Sequence, residues 1–149
     1  MISWQYLAGM IDADGSIGTT RTGMNRNIVG RVIIANTNHD FLQSIKEEFG
    51  GSLSLRKQGS KPNWKPFGSI SWTNRRAEIV LENILPFLII KQEQAKLVLE
   101  LIKMKNMPKS ERCIYTSENG IRSSSLRPEI KQKELEISFA LNSLNKKGV

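Results

Sequence analysis

The hydrophobic pattern of the first third of the chain predicts a helix, two strands and a second helix. Apolar and small residues cover every side of a helical wheel over residues 4–13, which predicts a helix buried on two faces, with Ser3 as its N-cap. Segments 16–22 and 28–36, separated by a turn-rich loop, then predict two strands that pair antiparallel. An apolar stripe over residues 39–49 predicts the second helix.

The order of two strands and a helix then recurs, and further helices follow it. These elements are predicted as strands at 52–58 and 67–73, a third helix capped by Asn74 and closed by Pro86, a fourth helix from Lys91 to about residue 105, a long connection over 106–126 and a last helix from Pro128 toward Leu144. Helices would cover one face of a four-stranded antiparallel sheet and leave its polar face open. The sequence therefore predicts an α+β fold: a single domain of 149 residues with a core at about 3–105 and a helical extension at about 127–146.

The two-residue alternation of a strand predicts which side chains lie on the open face of this sheet. If Ile17 points into the core, the opposite face carries Thr20, Thr22, Val29, Arg31 and Ile33 from the first two strands, and Ser54, Arg56, Gln58, Ser69 and Ser71 from the other two. Polar and basic side chains of this kind suit base reading in a DNA groove, and they equally suit a face in contact with solvent. The pattern alone leaves both interpretations open.

The charge balance favours a nucleic acid as the partner of this face. The chain has 22 Lys and Arg residues against 14 Asp and Glu, a net charge of +8 and a pI near 9.8. The basic residues are spread along the chain, which indicates a folded basic surface and favours a polyanionic partner. Ribosomal and membrane-surface proteins share such a balance, so charge alone does not select DNA.

Composition excludes several classes of function. A single cysteine, Cys113, excludes an internal disulfide and a thiolate zinc cluster. A single histidine, His39, speaks against nucleases with a histidine–metal centre and against Ser–His hydrolases. No apolar run approaches the roughly 20 residues of a membrane span, and no signal peptide precedes the first helix. We therefore expect the protein to act where it is made, in an organelle such as a chloroplast or mitochondrion, or in bacterial or phage-infected cytoplasm.

Two carboxylates, Asp12 and Asp14, end the first predicted helix just before Gly15. A carboxylate at a helix C-terminus faces the negative end of the helix dipole, which costs roughly 0.3–1 kcal/mol, and no basic residue lies nearby in sequence to offset it. A bound divalent cation would offset this cost, and so would a hydrogen-bonding partner or solvation. The neighbouring residues do not fit an EF-hand loop, because its other ligands are missing at the required spacing.

Residues Leu7 to Gly15, LAGMIDADG, resemble the nine-residue signature of the LAGLIDADG homing endonucleases, with Met10 in place of leucine. A second stretch, LPFLIIKQEQA at 85–95, is similar to the segment that brings a lysine, here Lys91, into the catalytic pocket of this family. The order and spacing of elements agree over most of residues 4–105. The resemblance implies the αββαββα fold of the family, in which the four-stranded antiparallel sheet forms a DNA-binding saddle, with extra helices at the C-terminal end.

One copy of the signature implies, in this family, a homodimer. The resemblance places the first helices of two copies against each other along Leu7, Gly9 and Ala13, with both Asp14 carboxylates side by side at the base of the interface. Mg²⁺ is expected to bind there to Asp14 and to the backbone carbonyl of Ala13, and Mn²⁺ or Ca²⁺ is expected to substitute for it in binding. The two sheets would then form one saddle over the major groove of a roughly palindromic target.

The resemblance also implies roles for other side chains. Lys91 would orient the attacking water or counter charge in the transition state. Asn38 falls near a position where the family often has another polar pocket residue, although capping of the second helix explains it equally well. Asp12 is assigned a structural role in capping or interface hydrogen bonding, and His39 is assigned to the solvated start of the second helix. The expected DNA contacts are Thr20, Thr22, Arg31, Arg56 and Gln58 to bases, Lys61 and Lys65 to phosphates, and Ser69 and Ser71 on the same face.

These features predict a homodimeric, divalent-metal-dependent endonuclease that makes double-strand breaks at a long, roughly palindromic site, as in intron homing. Its partners would be double-stranded DNA and a second copy of the chain, with no membrane and no small-molecule substrate. An RNA-binding splicing maturase or a non-cleaving DNA-binding module on the same fold is the alternative, and a basic ribosome-associated protein is a third interpretation. Asp14 and Lys91 favour cleavage, because a protein that only binds needs neither.

Overall fold

The computed structural model describes residues 1–24, 27–56, 65–106, 113–116, 120, 122–125 and 128–146. Its elements are, in order, α1 (Trp4–Asp14), β1 (Gly15–Thr22), β2 (Asn27–Asn36), α2 (His39–Phe49), β3 (Ser52–Leu55), β4 (Gly68–Thr73), α3 (Asn74–Ile84), a 3₁₀ turn (Leu85–Phe87), α4 (Gln92–Lys105), β5 (Cys113–Thr116), β6 (Arg122–Ser125) and α5 (Pro128–Lys146). The predicted αββαββα order and the last helix are confirmed. The long connection predicted over 106–126 is wrong in part, because β5 and β6 pair antiparallel within it.

Strands β1 to β4 form one antiparallel sheet in the order β1-β2-β4-β3, so β2 and β4 lie at its centre. The register places Ile17 opposite Val32 and Val32 opposite Trp72, and all three side chains are buried on the same face. Because side chains alternate between faces, the residues between them point to the other side of the sheet. The sheet therefore has one apolar face and one mostly polar face, as the sequence predicts.

Helices α1, α3 and α4 pack on the apolar face. Their buried side chains include Leu7, Ala8 and Ile11 from α1, Ala77, Val80, Leu81 and Ile84 from α3, and Val98, Leu101 and Ile102 from α4. The approach of α4 to the sheet depends on Gly30 of β2, where an added Cβ would come 2.7 Å from Val98 Cγ1 and 2.8 Å from Ile102 Cδ1. A side chain at this position would separate the helix from the sheet.

Short polar side chains start two of the helices. The Ser3 hydroxyl accepts a hydrogen bond from the N–H of Tyr6 at 3.2 Å, which confirms the predicted cap of α1. The Asn38 side chain accepts one from the N–H of Phe41 at 3.0 Å and caps α2 in the same way. The predicted cap of α3 is wrong, because this helix begins at Asn74 itself, with φ 51°. Strand β4 runs into α3 without a loop, and asparagine tolerates the left-handed backbone that the sharp turn requires.

Helix α5 is fixed to α4 and to the edge strand β1. Ile137 and Leu141 are buried on its inner side. The Lys105 ammonium contacts Glu134 of α5 at 2.5 Å and also donates to the backbone carbonyl of Ile28. Ser138 of α5 lies within hydrogen-bond distance of a β1 threonine. These contacts place α5 beside α4 and β1. In the part of the chain that the structure describes, no helix is both long and apolar enough to cross a membrane.

Candidate active site

A cavity of about 380 Å³ opens where α1 ends. Four elements and one loop meet around it: the end of α1, the start of β1, the loop before α4, the first turn of α4 and the end of α5. Its lining consists of Ala13, Asp14, Gly15, Ser16, Ile90, Lys91, Gln94, Leu144 and Asn145. Most of this surface is polar, and it contains both a carboxylate and an ammonium group.

The junction of α1 and β1 places Asp14 at this cavity. Strand β1 starts at Gly15, directly after the last helical residue. A Cβ on Gly15 would lie 2.7 Å from the Cα of Ile11 and 2.9 Å from its carbonyl oxygen, which is closer than carbon atoms approach in folded proteins. The φ of Gly15 is −82°, so glycine is needed here for close approach and not for a left-handed backbone. The side chain of Asp14 is exposed, and no described residue forms a hydrogen bond or ion pair with it.

The Lys91 side chain reaches the same end of α1. Its ammonium donates hydrogen bonds to the carbonyl oxygens of Ile11 and Asp12 at 2.8 and 2.6 Å. The last carbonyls of a helix have no partner within the helix and carry the negative end of its dipole, so a cation is stabilising there. An ammonium has three donors, and two are used on the helix, which leaves one for the cavity. Lys91 and Asp14 thus line the same cavity, and no ion pair joins them.

Asp12 faces the chain's own loop rather than the cavity. Its carboxylate accepts hydrogen bonds from three consecutive backbone N–H groups, those of Ile89 at 2.7 Å, Ile90 at 3.2 Å and Lys91 at 3.0 Å. These bonds cover both oxygens of the carboxylate. Asp12 therefore has the hydrogen-bonding role predicted from the sequence, although its partners belong to the same chain.

Asn38 does not line this cavity. Its side chain caps α2, and its own N–H donates to the side-chain oxygen of Asn36 at 2.8 Å. A catalytic role for Asn38 stays a prediction without a supporting contact.

The predicted exposure of His39 to solvent is wrong for its Nε2 atom. This atom is buried and has no hydrogen-bond partner among the described residues.

Gln94 and Asn145 are two of the cavity residues for which no site role was predicted from the sequence. Gln94 lies in α4, three positions after Lys91, and side chains at this spacing share a helix face. The position of Gln94 in the cavity could therefore be predicted from that of Lys91. Asn145 comes from α5, far along the chain, and donates to the carbonyl of Ile17 at 3.2 Å. Nothing in the local pattern around Asn145 indicates that it meets β1.

The exposed side of α1 has small residues at its centre. Gly9 and Ala13 are exposed, and a Cβ on Gly9 would meet no atom within 4 Å. Tyr6 lies on the same side and is 53% exposed. The predicted interface role of Leu7 is corrected, because its side chain is fully buried in the core of the single chain and offers no surface to a partner. The helix is thus covered on one face within the chain, whereas the sequence predicted burial on two.

The open face of the sheet carries many of the predicted DNA contacts. The register aligns Gly18, Arg31 and Thr73 across three strands. Thr20, Arg31, Ser69 and Ser71 are half-buried, and Thr22, Arg56 and Lys65 are exposed. Gln58 and Lys61 lie outside the described residues. Val29, which was expected to be exposed, is buried at 6%.

Arg56 stands at the end of this face and is held by an aromatic ring. Its guanidinium lies 5.1 Å from the centroid of the Phe67 ring, and its backbone N–H donates to the Phe67 carbonyl at 3.1 Å. No carboxylate among the described residues pairs with Arg56 or with Arg31. Within the described part of the chain, both guanidinium groups therefore keep their donors for an external acceptor.

Within one chain, the described residues supply too few ligands for a hard cation. Magnesium and calcium take six or more oxygen ligands, several of them from carboxylates or water. Among the described residues there is no group of three Asp, Glu, His or Cys side chains that could hold a metal. The carboxylate of Asp12 is bound to amides, so Asp14 supplies the carboxylate of this cavity, which Ala13 and the polar residues Ser16, Gln94 and Asn145 also line. This donor set fits a divalent cation when a second copy contributes the same groups.

The chain resembles a known nuclease in sequence. It is 32% identical over 117 residues to the DNA endonuclease I-CvuI of Chlorella vulgaris, and the match covers 68% of this chain and 65% of that relative. The chain thus spans just under two thirds of the length of this curated relative. No family model matches the chain.

Solved structures share the fold. The crystal structure of the homing endonuclease I-CvuI, in complex with its target in the presence of 2 mM Ca, has a TM-score of 0.68 and 22% identity, with 95% of this chain and 80% of that chain covered. The archaeal intron-encoded homing endonuclease I-Vdi141I, complexed with DNA, has a TM-score of 0.67 and 18% identity, with 98% and 86% covered. These likenesses confirm the predicted αββαββα fold.

Proposed function

We propose that the chain is a member of the LAGLIDADG homing endonuclease family and a divalent-metal-dependent endonuclease that cuts both strands of a specific DNA site. One observation carries the proposal. At the end of the signature helix, the Asp14 carboxylate has no described partner and lies in one cavity with the Lys91 ammonium. A protein that only binds nucleic acid would not need an unpaired acid beside a surface that attracts phosphates.

Binding to DNA rests on the open sheet face and on the charge of +8. A two-stranded antiparallel ribbon fits the major groove, which is about 12 Å wide. Strand β2 has 10 residues, and at about 3.3 Å per residue it follows the groove for roughly 33 Å. Arg31 and Arg56 have the fork of donors that recognises guanine, and Thr20 can pair with several base edges. Lys65 lies beside this face and suits a phosphate contact.

We propose that the active form is a homodimer built on α1. Tyr6, Gly9 and Ala13 form an exposed side with small residues at its centre, and Gly9 leaves room for close approach of another helix backbone. A two-fold axis along this side would bring the Asp14 residues of two copies together. The same symmetry would align two sheets into one surface, so the target is expected to be a long, roughly palindromic site.

The proposed cation site consists of Asp14 and the Ala13 carbonyl from each copy, with Mg²⁺ as the expected ion. When bound, the metal lowers the pKa of an attacking water and stabilises the charge that develops on the leaving 3′ oxygen. The Lys91 ammonium keeps a third donor, which we expect to orient a water or a phosphate oxygen and to counter negative charge. Gln94 and Asn145 line the same space with amide groups, which suit the ordering of water.

A cleavage assay tests this proposal. The substrate is DNA that carries the uninterrupted form of the host gene, incubated with Mg²⁺ and, in parallel, with EDTA. We expect double-strand cleavage at one site with Mg²⁺ and intact DNA with EDTA. The matched control for an Asp14→Asn variant is Asp40→Asn, which removes one negative charge from the exposed first turn of α2.

The outcomes of this assay separate the alternatives. Specific DNA binding without cleavage would favour a non-cleaving binding module, and preferential binding to intron RNA would favour a splicing maturase. Binding that ignores sequence altogether would favour a general basic nucleic-acid-binding protein. Each of these results would overturn the proposed endonuclease.

A further inference from the structure

Helix α1 and the start of α4 bind each other through a reciprocal pair of contacts. From α1, the Asp12 carboxylate accepts the N–H groups of Ile89, Ile90 and Lys91 at 2.7, 3.2 and 3.0 Å. From the other side, the Lys91 ammonium donates to the carbonyl oxygens of Ile11 and Asp12 at 2.8 and 2.6 Å. An acid thus lies at the positive end of one helix and a cation at the negative end of the other, which stabilises both.

Hydrophobic burial does not fix the loop that carries Lys91. The loop lies between the 3₁₀ turn, which ends at Phe87, and the first residue of α4, Gln92. Leu88 is buried at 3%, but Ile89 and Ile90 are 88% and 52% exposed. Ordering the backbone of one residue costs about 1–2 kcal/mol, and exposed side chains return little of this. The three hydrogen bonds to Asp12 bind every backbone N–H of residues 89–91, whereas the other hydrogen bonds of this segment with described residues all belong to Lys91.

The direction of Lys91 depends on that conformation. The side chain must turn back from the start of α4 to reach two consecutive carbonyls at the end of α1. A shift of about 1 Å in a catalytic constellation can lower a rate by ~100-fold. Since the Lys91 N–H itself binds Asp12, the carboxylate fixes the backbone of a residue that lines the same cavity as Asp14.

We propose that Asp12 is a positioning residue for Lys91 in the cleavage reaction. It holds the backbone of residues 89–91 so that the Lys91 ammonium binds the end of α1, at the cavity that Asp14 lines, and it acts on the rate only through this lysine. The inference rests on the proposed endonuclease function. A merely structural role would be different: loss of Asp12 would weaken the fold and lower cleavage whether or not Lys91 is present.

A double-mutant cycle distinguishes the two roles. The variants are Asp12→Ala, Lys91→Met and the double variant, with Asp40→Asn as the control for loss of a surface charge. The single-turnover cleavage rate is measured at saturating DNA with Mg²⁺, and the DNA dissociation constant is measured with Ca²⁺. We expect Asp12→Ala to lower the rate by ~10- to 100-fold in the wild-type background, with DNA affinity changed less than about threefold. In the Lys91→Met background, the same substitution is expected to change the rate less than about threefold.

Hydrogen exchange gives a readout that does not depend on cleavage. The amides of residues 89–91 are expected to exchange at least ~10-fold faster in Asp12→Ala than in the wild type, because they lose their acceptor. Asp12→Asn keeps one oxygen but presents an NH₂ group to the amides, so we expect an intermediate rate and intermediate exchange. This milder variant decides the question if Asp12→Ala does not fold.

The outcomes are separable. A wild-type protein that cuts no DNA with Mg²⁺ would overturn the proposed function. If the wild type cuts, equal rates for the wild type and Asp12→Asn, with unchanged exchange at 89–91, would overturn the positioning role alone. Equal losses from the Asp12 substitution in both backgrounds would also overturn it, in favour of a structural role.

Discussion

Two glycines of the nine-residue signature, Gly9 within α1 and Gly15 directly after it, are expected to respond in opposite ways to the same added methyl group. In Gly15→Ala, the new Cβ would lie 2.7 Å from the Cα of Ile11, whereas in Gly9→Ala it would meet no atom within 4 Å. Carbon atoms pack best at about 3.5–4.0 Å, so the methyl group added at position 15 would be roughly 1 Å too close to backbone that cannot rotate away. Position 9 lies inside a helix, where alanine is favoured over glycine.

These distances set the expected magnitudes. Overpacking of this kind costs about 1–3 kcal/mol, so Gly15→Ala is expected to lower the free energy of unfolding by that amount. Gly9→Ala is expected to raise it by about 0.5–1 kcal/mol, as for an exposed helical glycine. Because Asp14 directly precedes Gly15, the displacement should also slow cleavage by ~100-fold in protein that remains folded.

Urea unfolding followed by circular dichroism measures both changes. The protein is diluted until the unfolding midpoint no longer depends on concentration, so that loss of a dimer at Gly9 does not hide the gain within one chain. A Gly15→Ala variant as stable as the wild type would refute the close approach of β1 to α1. A destabilised Gly9→Ala variant at this dilution would refute the open space at that position.

Three further predictions concern the proposed reaction. Asp14→Asn should abolish cleavage while DNA binding in Ca²⁺ survives, with Asp40→Asn as the control; joint loss of binding and cleavage would instead indicate a folding role for Asp14. Gly9→Val should prevent dimer formation in sedimentation, because the branched side chain fills the exposed centre of α1, and a variant that sediments as a normal dimer would disprove the proposed interface. DNA affinity should fall steeply with salt, each phosphate contact contributing about −0.9 to the log–log slope, so Lys65→Ala should reduce the slope by about one; a flat response in the wild type would contradict phosphate-dominated binding.

The sequence predicted the elements that have a clear period. Helix α2 and strand β4 follow their patterns closely, since Leu42 and Ile45 recur on one side of the helix and Ile70 and Trp72 alternate with serines in the strand. The β5–β6 hairpin was missed because its strands are only four residues long and β6 has three serines. Such short polar strands have no apolar period to detect.

Contacts between distant segments could not be read from local pattern. Leu7 lies in a helix that is apolar on all sides, and only the packed structure decides that it turns inward while Gly9 turns outward. The Asp12 carboxylate meets amides that lie nearly eighty residues later in the chain. Lys91 was placed near Asp14 by the family resemblance, since nothing in its local pattern separates it from an ordinary lysine at a helix start.

The spacing of the two acids explains why one short motif can serve both fold and chemistry. Successive helical residues rotate by about 100°, so Asp12 and Asp14 point roughly 200° apart. Asp12 therefore faces the loop of its own chain, where three amides bind its oxygens, and it does not line the cavity. Asp14 faces the cavity, and Gly15 lets the chain turn away before any side chain covers it. Asp12 could reach the cavity, and Asp14 the loop, only if helix α1 were rotated about its axis. An acid at only one of the two positions therefore cannot make both contacts.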